Sequence, residues 1–547
     1  MIPPALLMVL AGLATLGRVF AMIGLAIVTG WFLGYLAARN RSVESVFLST
    51  TQTLEGVPIV TFFPLVLAIF LTHLPRGIGV ELSVDFLVFT GVAWNIWVGQ
   101  YEAIKTISQN LEDVADMFNL TFMEKMRHLY IPSTIPRTVA NVVTSFAVGL
   151  FYITVSEVIT VGTTEYSAFG IGTLIYDYTV AGEAGMAVAA LGVLVVLVIA
   201  VTYFILYPLI DWSMKFTYDP LLAVPANRLA ALPSRLRGGM ARGVRRLRRM
   251  FPERPQLMTP AGRARLVSLN SRQRAYGRLR PRVPRVVSIA MGAALAGLFM
   301  YAVYLAFTGP AAFSMFSDLR QHLYLYLYLL GLDYLRVLVV TVASLATAIA
   351  AAYVMAVRRG AESFLIYALE IVASIPAPSY IPLIATPLVT ALGKFMGFNG
   401  SLEFLALLTA YLSTVWYILY NTYIGVKSIP RELWELSSTY KLTLLQRMKY
   451  LVLPGAFPAM VTGLASTVGS TWGGLQLAEY IQIGSNYYMV NGISGLMDYY
   501  TSTGNVAGLN AASLLLAITI VALSVGLWRT LFSYSRRRFR MEGAFKM

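Results

Sequence analysis

The side chains able to do chemistry in this sequence are few, and most of them occur in pairs. There is no cysteine, and the only histidines are His73, His128 and His322. That excludes thiol catalysis, disulfides and zinc–thiolate sites, and argues against a multi-histidine metal centre. Asp113 pairs with Glu435, Thr121 with Thr443, Glu124 with Gln446, Pro132 with Pro454 and Glu157 with Glu479, each 322 residues apart. Arg18 pairs with Arg336, Pro58 with Pro376 and Pro64 with Pro382, each 318 apart. A shift of four residues requires only an insertion in the stretch 391–402, and loops tolerate insertions. The chain is therefore an internal duplication. A phosphate loop of the form Gly-x4-Gly-Lys-Ser/Thr is absent; Gly393-Lys394 is followed by Phe395 and lacks the upstream glycine. The chain is thus expected to bind no cofactor and to hydrolyse no nucleotide.

The elements that must position these pairs are membrane helices. The 547 residues are 57% hydrophobic and 12% charged, about half the charged fraction of a soluble domain. Continuous apolar runs approach the ~20 residues a spanning helix needs, and lack the alternation of a barrel strand. Spans are expected near 5–38, 52–72, 83–105, 136–160 and 186–212, then near 286–308, 335–356, 365–390, 403–424, 456–479 and 509–530. This is an all-α polytopic protein of about eleven spans in two parallel-repeat halves, 1–212 and 286–547, around a linker at 213–285. The apolar N-terminus, without a positive start, reads as part of a long first helix rather than a cleaved signal. The intervening stretches 73–82, 161–185, 309–334, 391–402 and 480–508 read as outer loops with few basic residues. Arg39, Arg41, Arg358, Arg359 and Arg536–Arg538 fall on the other side, which places the N-terminus outside and the C-terminus in the cytoplasm.

The linker holds Lys215 and seventeen arginines against Asp219 and Glu253, a net +16 equal to that of the whole chain. An arginine-rich arm can bind nucleic acid. With few aromatic side chains to stack on bases, the reading adopted is a cytoplasmic linker resting on anionic headgroups.

The paired acids and threonines at 113–124 and 435–446 lie in the longest polar excursions of each half. Asn110 reads as an N-cap, and Pro430 starts the second copy. A short helix runs to about Phe118 or Tyr440, followed by a turn at Asn119 or Lys441. Thr121 with Glu124, and Thr443 with Gln446, are capping boxes that start the next helix, which enters the membrane at Pro132 or Pro454. Each copy is a helix–turn–helix knob. A knob can dock a partner or merely lie on the membrane; repetition of caps and turn in register favours docking to a two-fold partner.

This loop resembles the "EAA" loop of ABC-importer permeases: Glu-Ala-Ala, three residues, Gly, nine residues, Ile-x-Leu-Pro. Asp113 and Glu435 take the place of the acid, Ala115 of one alanine, and Leu453-Pro454 of the ending, while Asn119 and Lys441 replace the glycine. The Val57-Pro58 to Pro64 and Ile375-Pro376 to Pro382 stretches look like the nitrate/sulfonate/taurine branch. So do Glu157 with Gly170-Ile171-Gly172 and Glu479 with Gly492-Ile493-Ser494-Gly495. The resemblance implies two fused permease halves of a type I importer in the cell membrane. It also implies a two-fold cytoplasmic ATPase carrying ATP and Mg, and an extracytoplasmic substrate-binding protein.

For the pathway itself, the candidates are Pro58, Pro64, Glu157, Pro376, Pro382 and Glu479. Prolines in spanning helices free carbonyls that persist only beside protein or a cavity, although a packing kink would look the same. Glu157 and Glu479 would need a basic or hydroxyl partner in an anion pathway. Arg18 and Arg336 can attract anions or serve as interfacial anchors, the reading adopted. The expected function is the permease of an ATP-driven importer for a small anion such as nitrate, a sulfonate or a taurine-like solute. The alternatives are an ATP-independent secondary transporter and a membrane-anchored nucleic-acid scaffold.

Overall fold

In the computed structural model of the chain, the residues described are 3–40, 74–161, 164–216, 310–357, 375–427, 429–483 and 486–528, with a few isolated positions between them. The expected spans 52–72 and 286–308, Pro58 and Pro64, most of the linker, and residues 365–371 lie outside the described residues.

The first half comprises α1 (Pro4–Arg39), α2 (Arg76–Lys105), α3 (Gln109–Met117), α4 (Phe122–Lys125), α5 (Ile131–Ser156), α6 (Ile171–Val180), α7 (Ala184–Val201) and α8 (Tyr207–Ser213). The hairpin of β1 (Val158–Val161) and β2 (Thr164–Ser167) joins α5 to α6. The second half comprises α9 (Pro310–Val357), α10 (Ala377–Lys427), α11 (Arg431–Thr439), α12 (Leu444–Arg447), α13 (Leu453–Ala478), α14 (Ile493–Thr503) and α15 (Val506–Leu523). Its hairpin is β3 (Tyr480–Ile483) with β4 (Asn486–Met489). From the knob helix to the last span, each element recurs 322 residues later, down to single turns of wider helix at Met126–Tyr130 and Met448–Val452. Among the described residues eight helical stretches are long and apolar enough to cross a membrane. The two antiparallel hairpins are the only strands among those residues.

Several expected boundaries move. The stretch 309–334 was expected to be an outer loop, but α9 is one helix from Pro310 to Val357. Alternation of Leu and Tyr over 323–328 disguises it. Wound as a helix, it turns Met315, Tyr326, Leu329 and Leu330 into the second half's core, at helical spacing. Nor is 391–402 a loop: α10 runs through it and breaks only at Gly397, whose φ of 74° and ψ of 168° suit glycine alone. Most of 73–82 is helical too, because Pro75 caps α2 rather than ending a loop. Pro376 precedes the first helical residue, Ala377, instead of kinking a span, while Pro382 lies inside the helix.

Each half has its own apolar core. In the first, Val19, Ile23, Leu87, Val92, Phe146, Leu150 and Leu194 are enclosed by α1, α2, α5 and α7. The halves meet along the proline-bearing start of α10, where Phe151 of α5 packs against Ala377, Ile381, Ala385 and Val389. There α10 also touches α6 and α7, and α14 touches β1.

Candidate functional site

The knobs have the local structure that their caps dictate. α3 ends with Asn119 at φ 52° and α11 with Lys441 at φ 51°; they are the only described non-glycine residues with positive φ. Three backbone bonds close each turn. Phe118, Asn119 and Leu120 N–H donate to the carbonyls of Val114, Asp116 and Ala115 at 3.1, 2.8 and 3.1 Å. Tyr440, Lys441 and Leu442 donate to Leu436, Ser438 and Ser437 at 3.0 Å each. This is the C-cap that glycine usually closes. Both capping boxes are complete: Thr121 N–H donates to the Glu124 carboxylate at 2.8 Å, and Thr443 N–H to Gln446 Oε1 at 2.9 Å. Their burial-free position makes the hydrogen bonds a matter of local geometry, not of packing. The expected Asn110 cap is displaced by two residues, since α3 starts after Ser108. Pro132 and Pro454 take the second positions of α5 and α13, where a missing N–H is harmless.

Each knob is held differently. Arg39 at the end of α1 pairs with Glu112 and donates to the Tyr130 hydroxyl at 2.9 Å. Ala115, Leu129 and Tyr130 form a small apolar seat beneath α3. In the second half Trp434 replaces Glu112 and packs against the cluster that holds Val426 and Val452. Outside these seats the knobs present apolar side chains: Met117 is 80% exposed and Tyr440 72% exposed. A left-handed lysine costs about 1 kcal/mol relative to glycine. Lys441→Gly is therefore expected to slow amide exchange across 438–443; faster exchange would show that the turn is not strained.

At the far ends of α5 and α13, about 50 Å from the knobs by helical rise, Glu157 and Glu479 cap their helices and are fully buried. Glu157 accepts from the Thr15 hydroxyl at 2.5 Å and from Gly172 N–H at 2.6 Å. Thr15 in turn accepts Ile171 N–H at 3.0 Å. Arg18 grips Glu81 with Nε and Nη2 at 3.0 and 2.6 Å, and donates from Nη1 to the Phe169 carbonyl at 2.8 Å. The second half repeats the plan. Arg336 grips Glu403 at 2.6 and 2.7 Å and donates to the Asn491 carbonyl at 2.9 Å. It also reaches Asp333 at 2.7 Å and Glu479 at 3.1 Å. Asp333 stands where Thr15 stood, and accepts Ile493 and Ser494 N–H at 2.9 and 3.3 Å. Glu479 accepts Gly495 N–H at 2.9 Å.

Each cluster thus ties α1 or α9, α2 or α10, the end of α5 or α13 and the start of α6 or α14 into one body, just where the hairpins begin. Arg18 and Arg336 are members of these clusters and not interfacial anchors; Arg336 is only 5% exposed. Beside the second cluster lies a cavity of about 490 Å³, lined by Arg336, Glu403, Asn399, Asn491 and apolar residues. Glycine is required at the heart of each cluster, since a Cβ at Gly170 would overlap the Glu157 carboxylate and one at Gly492 would overlap both Glu479 and Asp333. Gly170→Ala and Gly492→Ala are each expected to lower the midpoint of thermal unfolding, Gly492→Ala more; an unchanged midpoint for both would contradict the enclosed geometry.

Of the sequence-derived residues, the structure gathers Asp113, Ala115, Asn119, Thr121 and Glu124 into one knob, and Glu435, Lys441, Thr443 and Gln446 into the other. It sets Glu157 and Glu479 apart from both knobs, and Pro376 and Pro382 at the meeting of the halves. Sequence reasoning missed Thr15, Glu81, Asp333 and Glu403. Glu81 and Glu403 share the 322-residue spacing, a signal that was available.

Residues 26–216 and 345–540 each match the family described as binding-protein-dependent transport system inner membrane component. The chain is similar to the nitrate import permease protein NrtB of Leptolyngbya laminosa, 28% identical over 124 residues, 22% of this chain and 39% of that protein. It is similar to the bicarbonate transport system permease protein CmpB of Synechococcus elongatus, 30% identical over 79 residues, 14% of this chain and 28% of that protein. A putative aliphatic sulfonates transport permease protein, SsuC of Escherichia coli, is 34% identical over 74 residues, 14% of this chain and 28% of that protein. These alignments cover less than half the length of each relative. With the family domain present in both halves around a repeated bundle, this multi-pass membrane protein belongs to the binding-protein-dependent ABC permeases, as two such domains in one chain.

Proposed function

We propose that the chain forms the translocation pathway of an ATP-driven importer for a small anion. Two knobs with the same turn, caps and exposed apolar tip, 322 residues apart, carry this reading. Two like docking surfaces at one end of a pseudo-two-fold bundle fit a pair of ATPase subunits, which would hold ATP and Mg. Knob closure would rock the halves, whose clusters keep each one rigid, and so shift the hairpins and the proline-bearing helices where the halves meet. Relatives named for nitrate, bicarbonate and sulfonates support an oxyanion as substrate. The enclosed Glu157 and Glu479 serve this account as braces of the hairpin segments, because a bare carboxylate would repel an anion. The orientation has the N-terminus outside, with the linker and C-terminus in the cytoplasm, facing the ATPase. An extracytoplasmic binding protein delivers the solute.

The test is co-purification of the full chain with its ATPase, combined with hydrolysis measured in the presence of loaded binding protein. Asp113→Lys with Glu435→Lys is expected to abolish stimulation of hydrolysis. If the double variant retains the ATPase and couples normally, the docking assignment of these acids fails.

A further inference from the structure

The two clusters share one plan but not one set of hydrogens. In the first half the Thr15 hydroxyl links α1 to the end of α5 and the start of α6. It donates to Glu157 at 2.5 Å and accepts Ile171 N–H at 3.0 Å. In the second half Asp333 stands at that position and accepts Ile493 and Ser494 N–H in the same way, at 2.9 and 3.3 Å. Its carboxyl meets the carboxyl of Glu479. The two lie so close that a Cβ on Gly492 would overlap both. An ionised carboxylate only accepts hydrogen bonds. The bond that Thr15 makes with its own hydrogen therefore has no donor in the second half if both acids are ionised.

Arg336 does not make up the deficit. Its Nε and Nη2 are taken by Glu403 at 2.6 and 2.7 Å. Nη1 carries two hydrogens and faces three acceptors: Asp333 at 2.7 Å, the Asn491 carbonyl at 2.9 Å and Glu479 at 3.1 Å. Among the described residues the elements packed around the pair bring no second cation. α10 adds Glu403, itself an acid, and α14 offers the N–H groups of Ile493, Ser494 and Gly495. Asp498, further along α14, bonds Gln476 of α13 instead. Asp333 and Glu479 are both fully buried, and two carboxyls in contact away from water do not both ionise. We infer that Asp333 and Glu479 share one proton, which makes this cluster, and not its counterpart at Glu157, a proton-binding site. The proton closes the link from α9 to the end of α13 and the start of α14, the helix that touches β1 of the first half. Opening of that link lets water reach both carboxyls, and both then ionise at any pH above about 4. The second half therefore loosens at the start of α14 as pH rises, while the first half keeps its hydroxyl link.

The test is amide exchange of the full chain in detergent, followed by mass spectrometry at several pH values from about 5 to about 9. Chemical exchange accelerates with pH equally in both halves, so residues 171–175 serve as the reference for 493–497. Release of one proton on opening changes the opening equilibrium about tenfold per pH unit. In the unchanged protein, protection at 493–497 is expected to fall relative to 171–175 by about that factor for each unit of rising pH. The ratio is expected to become independent of pH in Asp333→Thr, which rebuilds the first half's arrangement, and in Glu479→Gln. The glutamine keeps the size of Glu479 and can itself donate to Asp333, so this variant decides the matter if Asp333→Thr does not fold. Parallel loss of protection at the two segments in the unchanged protein would overturn the inference. So would a pH-dependent ratio that persists in Glu479→Gln.

Discussion

Arg336→Leu is expected to cost the protein more than any other single substitution considered. The leucine would leave Asp333, Glu403 and Glu479 around a site that has lost its cation, with Asp333 and Glu479 fully buried. Removing one partner from a buried, hydrogen-bonded charge cluster costs about 3–5 kcal/mol, because the remaining charges stay desolvated and uncompensated. Arg336 also satisfies the Asn491 carbonyl ahead of α14, so the loss spreads to the segment that touches β1 of the other half. Arg18→Leu is the internal control. Its cluster holds the neutral Thr15 in place of Asp333, so only Glu157 would be left buried without its cation, while Glu81 at 43% and its counterpart Glu403 at 40% exposed can both be hydrated. The loss there is therefore smaller. Thermal unfolding of the purified variants in detergent checks the order: Arg336→Leu below Arg18→Leu, and both below the unchanged protein. Equal effects would contradict the role given to Asp333.

Charge placed on the knob tips is expected to remove coupling while leaving the fold alone. Met117, Phe118, Leu436 and Tyr440 are large apolar side chains between half and four-fifths exposed, on helices of nine residues or at the caps that close them. Exposed apolar clusters of this kind mark contact surfaces. Asp at Met117 and Phe118 of one knob, or at Leu436 and Tyr440 of the other, changes folding stability by about 0.5 kcal/mol or less, as exposed positions do. At the centre of an interface the same change costs on the order of 2–4 kcal/mol, thirtyfold or more in affinity. Purified double variants are expected to show unchanged unfolding midpoints and ATPase binding weakened by at least thirtyfold. Unweakened binding would remove these tips from the interface.

How much of this was readable in advance depends on the range of the interactions concerned. The knobs were legible because a capping box, a turn residue and a proline act within a few positions of one another; Asn119 and Lys441 were placed at a turn by their neighbours alone. The duplication was legible from spacing. The clusters were not, because Thr15 with Glu157 and Glu81 with Arg18 meet only after several helices have packed. Glu81 was also hidden in the stretch 73–82, read as loop, where Pro75 caps a helix. The hairpins lay in the stretches read as outer loops, 161–185 and 480–508, apart from the start of β1, which fell in the helix window 136–160 although Val158-Ile159-Thr160-Val161 is a β-branched run of the kind that favours strands. The long α9 could have been inferred from the repeat itself, since residues 322–357 stand 318 positions beyond Pro4–Arg39.

In the function proposed above, this bundle moves a small anion only when an ATPase drives its knobs. The direct measurement is uptake into proteoliposomes holding the full chain and its ATPase pair, with the binding protein outside and ATP inside, using radiolabelled bicarbonate and sulfonates together with nitrate. At least one of these anions is expected to accumulate in a manner that requires both ATP and the binding protein and disappears in the knob-tip variants. Uptake at the same rate without ATP or without the ATPase would contradict it.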